Sequence, residues 1–329
     1  MTADALARAR TVADELPVAV DVDELVNGRA ALLGLVTKGR TSAGGTCRLL
    51  RTTDSWIAVN LARPCDVDAL PAVLEVAVDP DDPWPAVERY ASARAAIDVA
   101  DRFQLLGVAA AALDDPTVDA SRAVIVHEFG RTGSPSRHPV VVDLSSMWAG
   151  PLCAHLLGRA NLGVIKVESV HRPDGARAGD PRFFDWLHDG HESVVLDFHT
   201  AAGREALRDL IERADVVIEA SRPRALAQLG IAAAEVVGAA PGRTWVSITG
   251  YGRHGPAADK IAFGDDAAVA GGLVEYDADG APGFYADAIA DPMSGLFAAA
   301  AAFRSIAAGG GHLVEVAMAA VAKSVAAGA

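Results

Sequence analysis

A chain of 329 residues, 51% hydrophobic and 22% charged, can bury a sizeable core in one large domain or two modest ones, which excludes disordered and collagen-like states. Its net charge of −14, from 43 acidic against 29 basic residues, disfavours nucleic acid or an acidic membrane as a partner, and 5% aromatics gives no stacking platform for single strands. An anionic small molecule stays open, because a few cations and helix N-termini can hold it within a negative global field.

Taken in chain order, Met1–Leu16 carries Asp4, Arg8, Arg10, Asp14 and Glu15 and lacks the apolar core of an export signal. The longest apolar stretches, such as Leu296–Ala302, fall far short of the ~20 residues of a membrane span. Cys47, Cys65 and Cys153 are an odd set without C-x-x-C spacing, which speaks against a disulfide framework and a zinc site. The expectation is a cytoplasmic protein with no metal and no membrane partner. The β-rich runs Cys47–Arg51 and Trp56–Leu61, about the polar turn Thr52–Ser55, predict a hairpin. Asp66–Leu74 and Pro85–Phe103 predict helices, whereas Asp79–Pro85, with three prolines in seven residues, predicts a loop. These elements place a smaller α+β region over 1–115. Pro116, Gly130, Gly133, Pro135 and Pro139 mark 116–139 as a linker.

From Val140 the pattern becomes rhythmic. Apolar runs Val140–Leu144, Val164–Val167, Val194–Phe198, Val216–Glu219 and Trp245–Ile248 alternate with helical stretches Pro151–Arg159, Thr200–Arg213, Pro223–Leu229 and Ala232–Ala239. An Ala-rich helix, Asp291–Ala307, and a last strand, His312–Val316, follow. Short apolar strands separated by helices signify βαβ units, so 140–329 is expected to form an open parallel, Rossmann-like sheet in an α/β fold. Ligands of such sheets sit at the carboxyl ends of the strands. The turn after the first strand, Asp143–Pro151, is neither GxGxxG nor a Walker loop, so generic nucleotide motifs fail there.

The ordered set carries more information. Val141-Val-Asp-Leu-Ser-Ser-Met-Trp-Ala-Gly-Pro151 is followed by Leu162-Gly-Val-Ile-Lys-Val-Glu168, Ser193-Val-Val-Leu-Asp197, Gly203-Arg-Glu-Ala-Leu207 and Ala214-Asp-Val-Val-Ile-Glu219 with Arg222-Pro223. Ser247-Ile-Thr-Gly-Tyr-Gly252, Gly255-Pro256, Ile289-Ala-Asp-Pro-Met-Ser-Gly295 and Gly311-His-Leu-Val-Glu-Val316 complete it. This succession resembles the family III CoA-transferases, the CaiB/BaiF group that includes α-methylacyl-CoA racemases. Thr41-Ser-Ala-Gly-Gly-Thr-Cys-Arg-Leu-Leu50, followed by Asp54-Ser-Trp-Ile-Ala-Val59, resembles that family's glycine loop and small-domain hairpin. In the usual order this piece follows the segment like Gly311–Val316; here it comes first, as in a circular permutation or a portion of a tandem arrangement.

The resemblance implies CoA transfer between an acyl-CoA and a free carboxylic acid, with coenzyme A as substrate, no tightly bound cofactor, and a homodimer. It makes Asp291 the nucleophile, whose carboxylate forms a mixed anhydride and then an aspartyl-CoA thioester; the residue type alone also fits a helix N-cap. Gly44 and Gly45 match the loop that covers the nucleophile and offers N–H groups to the reacting carbonyl. Ala149 and Gly150 match the site of the pantetheine end. Lys166 matches the lysine beside the CoA path, although a solvated strand-end lysine fits as well. Lys260 and Arg222 are candidate phosphate contacts, and Trp148, Phe284 and Tyr285 candidate pocket walls.

There are departures. His188-Asp-Gly-His-Glu-Ser193 replaces Asn-x-Gly-Lys-Arg-Ser, leaving His191, expected at the surface, where a lysine is usual. Ala220-Ser221 replaces Asn-Phe before Arg222. The acid usual after the aromatic at Phe263 is Gly264, with Asp265 and Asp266 displaced onward. Two alternatives follow. A racemase-like enzyme needs two bases, and Phe263 stands where racemases carry a histidine; a non-catalytic acyl-CoA-binding subunit would tolerate the lost charges.

Overall fold

The structure, a computed structural model, describes residues 3–134, 136–222 and 224–327. Pro135 of the expected linker and Pro223, the first residue of an expected helix, lie outside them.

Two helices open the chain, α1 (Ala3–Ala13) and α2 (Val22–Leu33). Asp21 caps α2 by accepting from the amides of Asp23 and Glu24, and Gly34, at φ +65°, ends it in the left-handed conformation that glycine adopts without strain. The hairpin of β1 (Cys47–Arg51) and β2 (Trp56–Asn60) follows, with Arg51 opposite Trp56. Next come α3 (Pro64–Leu74), α4 (Trp84–Ser92), α5 (Ala96–Leu105) and β3 (Ala109–Ala112). The apolar spacing over Pro85–Phe103 predicts one helix; the structure has two, because the Asp54 carboxylate accepts from the amide of Ala96 at 2.9 Å and starts α5 afresh. Strand β3 is four alanines, poor strand formers, drawn into a strand by pairing with β2 and full burial.

The remaining elements are β4 (Val124–Glu128), β5 (Val140–Asp143), α6 (Ala149–Arg159), β6 (Gly163–Ser169), α7 (Pro181–His188), β7 (Glu192–Leu196), α8 (Ala201–Arg213), β8 (Val216–Glu219), α9 (Arg224–Gln228), α10 (Ala233–Ala239) and β9 (Thr244–Thr249). Then follow α11 (Gly264–Ala270), the hairpin β10 (Val274–Tyr276) and β11 (Pro282–Phe284), α12 (Ala290–Ala307), β12 (His312–Ala317) and α13 (Met318–Ala326). Seven strands form one sheet in the order β4-β12-β9-β8-β5-β6-β7. All pair in parallel except β4, which runs antiparallel to β12. The parallel strands, counted from β5, thus stand in the doubly wound order 3-2-1-4-5-6, and the crossovers reverse direction between β5 and β8.

Two findings differ from the sequence expectation. The stretch 116–139, read as a linker, contributes β4 to the edge of the large sheet, because its β-branched run Val124-Ile-Val126 pairs with the edge of β12. The first 33 residues, read with the small region, pack α1 and α2 onto α12, α13 and α7, sharing the main apolar core through Ala5, Ala9, Leu25 and Val26. The small sheet β1-β2-β3 has its own core with α3–α5, built on Ile57, Val59, Leu70, Val87 and Phe103. A bridging group of Cys47, Leu49, Ala58, Val269 and Phe284 ties it to α11 and β11.

Helix α12 is the axis of the molecule. Its residues 292–302 are all buried, and Ala298–Ala302 give it a slim profile against neighbours on several sides. Helix α6 comes close at Gly295, where a Cβ would stand 2.7 Å from the carbonyl oxygen of Ala149 and 3.0 Å from Leu152. Gly295→Ala should therefore wedge α12 from α6 and destabilise the protein by about 1–3 kcal/mol. A lower urea midpoint with an unchanged denaturant slope is the expected result; parental stability would disprove the constraint.

Candidate active site

The chain approaches α12 through a strained turn. Ala286 (φ +53°) and Ala288 (φ +44°) both hold left-handed backbone that costs roughly 1–3 kcal/mol each for an alanine. Between them Asp287 is turned inward and 1% exposed. Arg29 from α2 meets it with one terminal nitrogen 2.7 Å from both carboxylate oxygens. The same guanidinium lies over the rings of Trp148, at 5.5 Å, and Phe183, at 5.1 Å.

Asp291 follows in the first turn of α12, its amide donating to the carbonyl of Ala288 at 2.8 Å. It lies deep among other groups yet keeps a partly exposed side. Burial, and then the charge of Asp265, push its carboxyl up to about 8, against the pull of Arg29. Asp265 and Asp266, adjacent on α11, are buried as well. Asp265 is raised to about 6 by burial and by Asp287, while it accepts from the amide of Ala288 at 3.2 Å and bonds the Ser42 side chain. Asp266 is raised to about 7, chiefly by burial, although it accepts from Asn60 at 3.1 Å and from the amide of Phe263 at 3.0 Å. Gly264 makes room: a Cβ there would stand 2.5 Å from a carboxylate oxygen of Asp291 and 2.3 Å from the carbonyl of Ala288. An acid at 264 does not fit this arrangement, and Asp265 is the neighbouring carboxylate instead. Such a cluster of buried carboxylates, each raised by burial and by its charged neighbours, beside one partly open Asp is suited to nucleophilic or proton-transfer chemistry.

The other predicted residues fall as follows. Ser42–Gly45 forms a turn closed by the Gly45 amide on the carbonyl of Ser42, at 2.9 Å. Through Ser42 that turn reaches the aspartate cluster within one chain, and Gly44 and Gly45 are exposed, with open space where a Cβ would stand. Gly45, at φ +80°, is in glycine territory. Ala149 and Gly150 are buried at the start of α6, and a Cβ on Gly150 would collide with Ser145. Lys166 is 1% exposed, not a solvated strand end. Its ammonium lies 2.9 Å from Asp174 and 3.4 Å from Asp143, and donates to the carbonyl of Ser145. These carboxylates outweigh burial and keep its pKa above the ordinary lysine value. Lys260 pairs with Asp101 at 2.9 Å, joining the loop after β9 to α5. Arg222 is exposed, and its carbonyl accepts from the amide of Ala225.

His191 is half-buried against His188, their Nδ1 atoms 3.3 Å apart. Burial lowers both, His188 to about 4, so neither supplies the positive charge of the absent lysine at neutral pH. Trp148 and Phe284 are buried core residues, whereas Tyr285 is half-buried. Arg29, Asn60, Ser42 and Asp287 had no sequence signal: each acts through a partner more than 200 residues away, Arg29 and Asp287 through each other.

A model described as CoA-transferase family III matches residues 139–329. The succinyl-CoA–D-citramalate CoA-transferase of Chloroflexus aurantiacus is 28% identical over 189 residues, which cover 54% of this chain and 47% of that protein. The succinate–glutarate CoA-transferase of Agrobacterium fabrum is 29% identical over 211 residues, covering 57% and 53%. A solved CaiB/BaiF family protein from Brucella suis superposes with a TM-score of 0.52 at 29% identity, covering 59% of this chain and 56% of that one. The chain spans about half the length of these curated relatives.

Asp266 supplies a test of the cluster's electrostatics. Its folded pKa, about 7, lies above the unfolded value of 3.8, so its contribution favours folding below pH ~4 and is lost as pH rises through about 7. Asp266→Asn keeps an acceptor for Asn60 and Phe263 and removes the charge. It should raise the melting temperature at pH 8 by a few degrees, from about 1–3 kcal/mol, and change little at pH 4. An equal gain at both pH values would contradict this account.

Proposed function

The chain belongs to CoA-transferase family III, and from that premise we propose that it moves CoA from an acyl-CoA to a free carboxylic acid, with Asp291 as the nucleophile. A carboxylate oxygen of Asp291 adds to the thioester carbonyl and expels CoA thiolate, leaving a mixed anhydride. The thiolate attacks the aspartyl carbonyl, releasing the first acid and leaving an aspartyl-CoA thioester. The acceptor carboxylate attacks that thioester, and the freed thiolate then takes the new acyl group, returning the Asp291 carboxylate.

The observation that carries the proposal is the partly open carboxylate of Asp291 in the first turn of an 18-residue helix, within the charge field of Asp265, whose carboxyl the Ser42 side chain of the glycine turn bonds. Poor solvation makes the ionised form a better nucleophile, and the helix N-terminus and Arg29 favour that form against burial. Gly44 and Gly45 would offer amides to the developing oxyanion. Lys166 is buried in its ion pairs, whereas Lys260 would meet a CoA phosphate by leaving the exposed Asp101. Next to the glycine turn, a cleft of about 380 Å³ is lined by Arg40, Arg51 and Trp56, with Arg48 paired to Glu88 at 3.8 Å on its wall, and its arginines suit an anionic ligand. The small region with this cleft precedes the large sheet, in the permuted order, and we take the working assembly to be a homodimer.

Incubation with an acyl-CoA should give a hydroxylamine-sensitive adduct on Asp291, and Asp291→Asn should keep the fold and lower turnover by roughly 10³-fold or more. Full activity in a folded Asp291→Ala protein would sink the assignment. Because the carboxyl stands at about 8, the rate should climb as pH rises toward 8. Asp265→Asn removes a charge that raises Asp291 and should move that climb to lower pH. Replacing Arg40 and Arg51 together by alanine should raise KM for the acyl-CoA with little effect on kcat; an unchanged KM would exclude the cleft.

A further inference from the structure

At the far edge of the large sheet, three donor side chains converge outside the aspartate cluster. His127 on β4 lies opposite Leu313 of β12, so it is a diagonal neighbour of Glu315 on one face of the sheet. His254 comes from the loop after β9. That loop is pinned one residue earlier, where Arg253 donates to Glu219 at 2.5 Å and to Ser247 at 2.6 Å. Glu315 is 3% exposed. Its Oε1 stands 3.0 Å from Nε2 of His127 and 3.1 Å from Nε2 of His254.

These distances suit hydrogen bonds, yet the directions do not. Among the described residues neither Oε1 of Glu315 nor the buried Nε2 of His127 has a hydrogen-bond partner. An unpartnered buried carboxylate oxygen is costly, and two imidazole nitrogens placed beside it without donating to it leave three acceptor-type atoms grouped together. All three lie within 4.8 Å of one another. Bonds of ~2.0–2.1 Å to a tetrahedral ion set donor atoms about 3.3 Å apart, near the two approaches to Oε1 seen here. The exposed His254 ring is free to close the third side.

We propose that His127, His254 and Glu315 form a binding site for a divalent transition-metal ion of the Zn²⁺ type. Two neutral imidazoles and one carboxylate are a borderline-hard donor set, suited to Zn²⁺ or Co²⁺ and less to Mg²⁺ or Ca²⁺, which take all-oxygen shells. The ion would give the buried Oε1 of Glu315 its missing partner and staple the edge strand β4 to β12 and to the loop after β9. A fourth position, on the open side of His254, is left for water.

The test uses the full chain freed of metal by a chelator and titrated with Co²⁺ alone, then with Zn²⁺. The expected result is saturable binding of one equivalent of Co²⁺ with visible absorption, bleached by Zn²⁺, and a Zn²⁺-dependent rise in melting temperature. His254→Ala, at an exposed position, should leave the fold intact and abolish both signals, as should His127→Ala. His171→Ala, in the exposed group of His171, Asp197 and His199, should abolish neither. Absence of saturable binding at micromolar free metal, or binding that survives both substitutions at 127 and 254, overturns the proposal.

Discussion

The contact from the Arg29 guanidinium to both oxygens of Asp287 holds three distant parts of the chain in one arrangement. It fixes α2 against the large body, turns the strained Ala286–Ala288 segment inward, and sets a positive charge near Asp265 and Asp291. Asp287 is almost wholly buried, so loss of the arginine would leave an uncompensated charge, at a cost of roughly 3–5 kcal/mol. One cation does not neutralise four carboxylates. Asp265, Asp266 and Asp291, which have no ion pair among the described residues, therefore hold protons well above the usual carboxylate range, and burial drives each shift. This is the electrostatic setting in which Asp291 keeps its partly open side.

Packing delivers the cluster to that setting. Gly295 lets α12 lie against α6, and Gly264 lets α11 approach the first turn of α12, so two missing side chains bring Asp291 and Asp265 together. The small sheet closes the arrangement from the other side: Asn60 at the end of β2 reaches Asp266, and Ser42 reaches Asp265. A second charged group, around Lys166, lies at the carboxyl ends of β5 and β6 next to the point where the sheet order reverses. Its ammonium is held in buried ion pairs, and the group organises the turn after β5, with Asp174 also accepting from the amide of Met147.

Much of the fold was legible from local pattern. The runs Val216–Glu219 and Cys47–Arg51 became strands with those bounds, and the rhythm after Val140 became the parallel part of the large sheet. Period and apolar run length report directly on such elements. The exceptions have one cause. The alanines of β3 and the β4 stretch inside the expected linker are strands because a partner edge was waiting for them, and α1 and α2 joined the large body because α12 and α13 offered an apolar face.

The candidate site divides in the same way. The sequence by itself determined a family, an α/β sheet and Asp291 at the start of an alanine-rich helix, because short segments of fixed spacing carry that information. Only the tertiary structure decided that Lys166 is buried in ion pairs, that Lys260 belongs to Asp101, and that Gly264 clears space for a carboxylate. It alone brought Arg29 to Asp287 across 258 residues and Ser42 to Asp265. Charge, burial and reach depend on which side chains meet in space, and long-range packing sets those meetings where no local pattern records them.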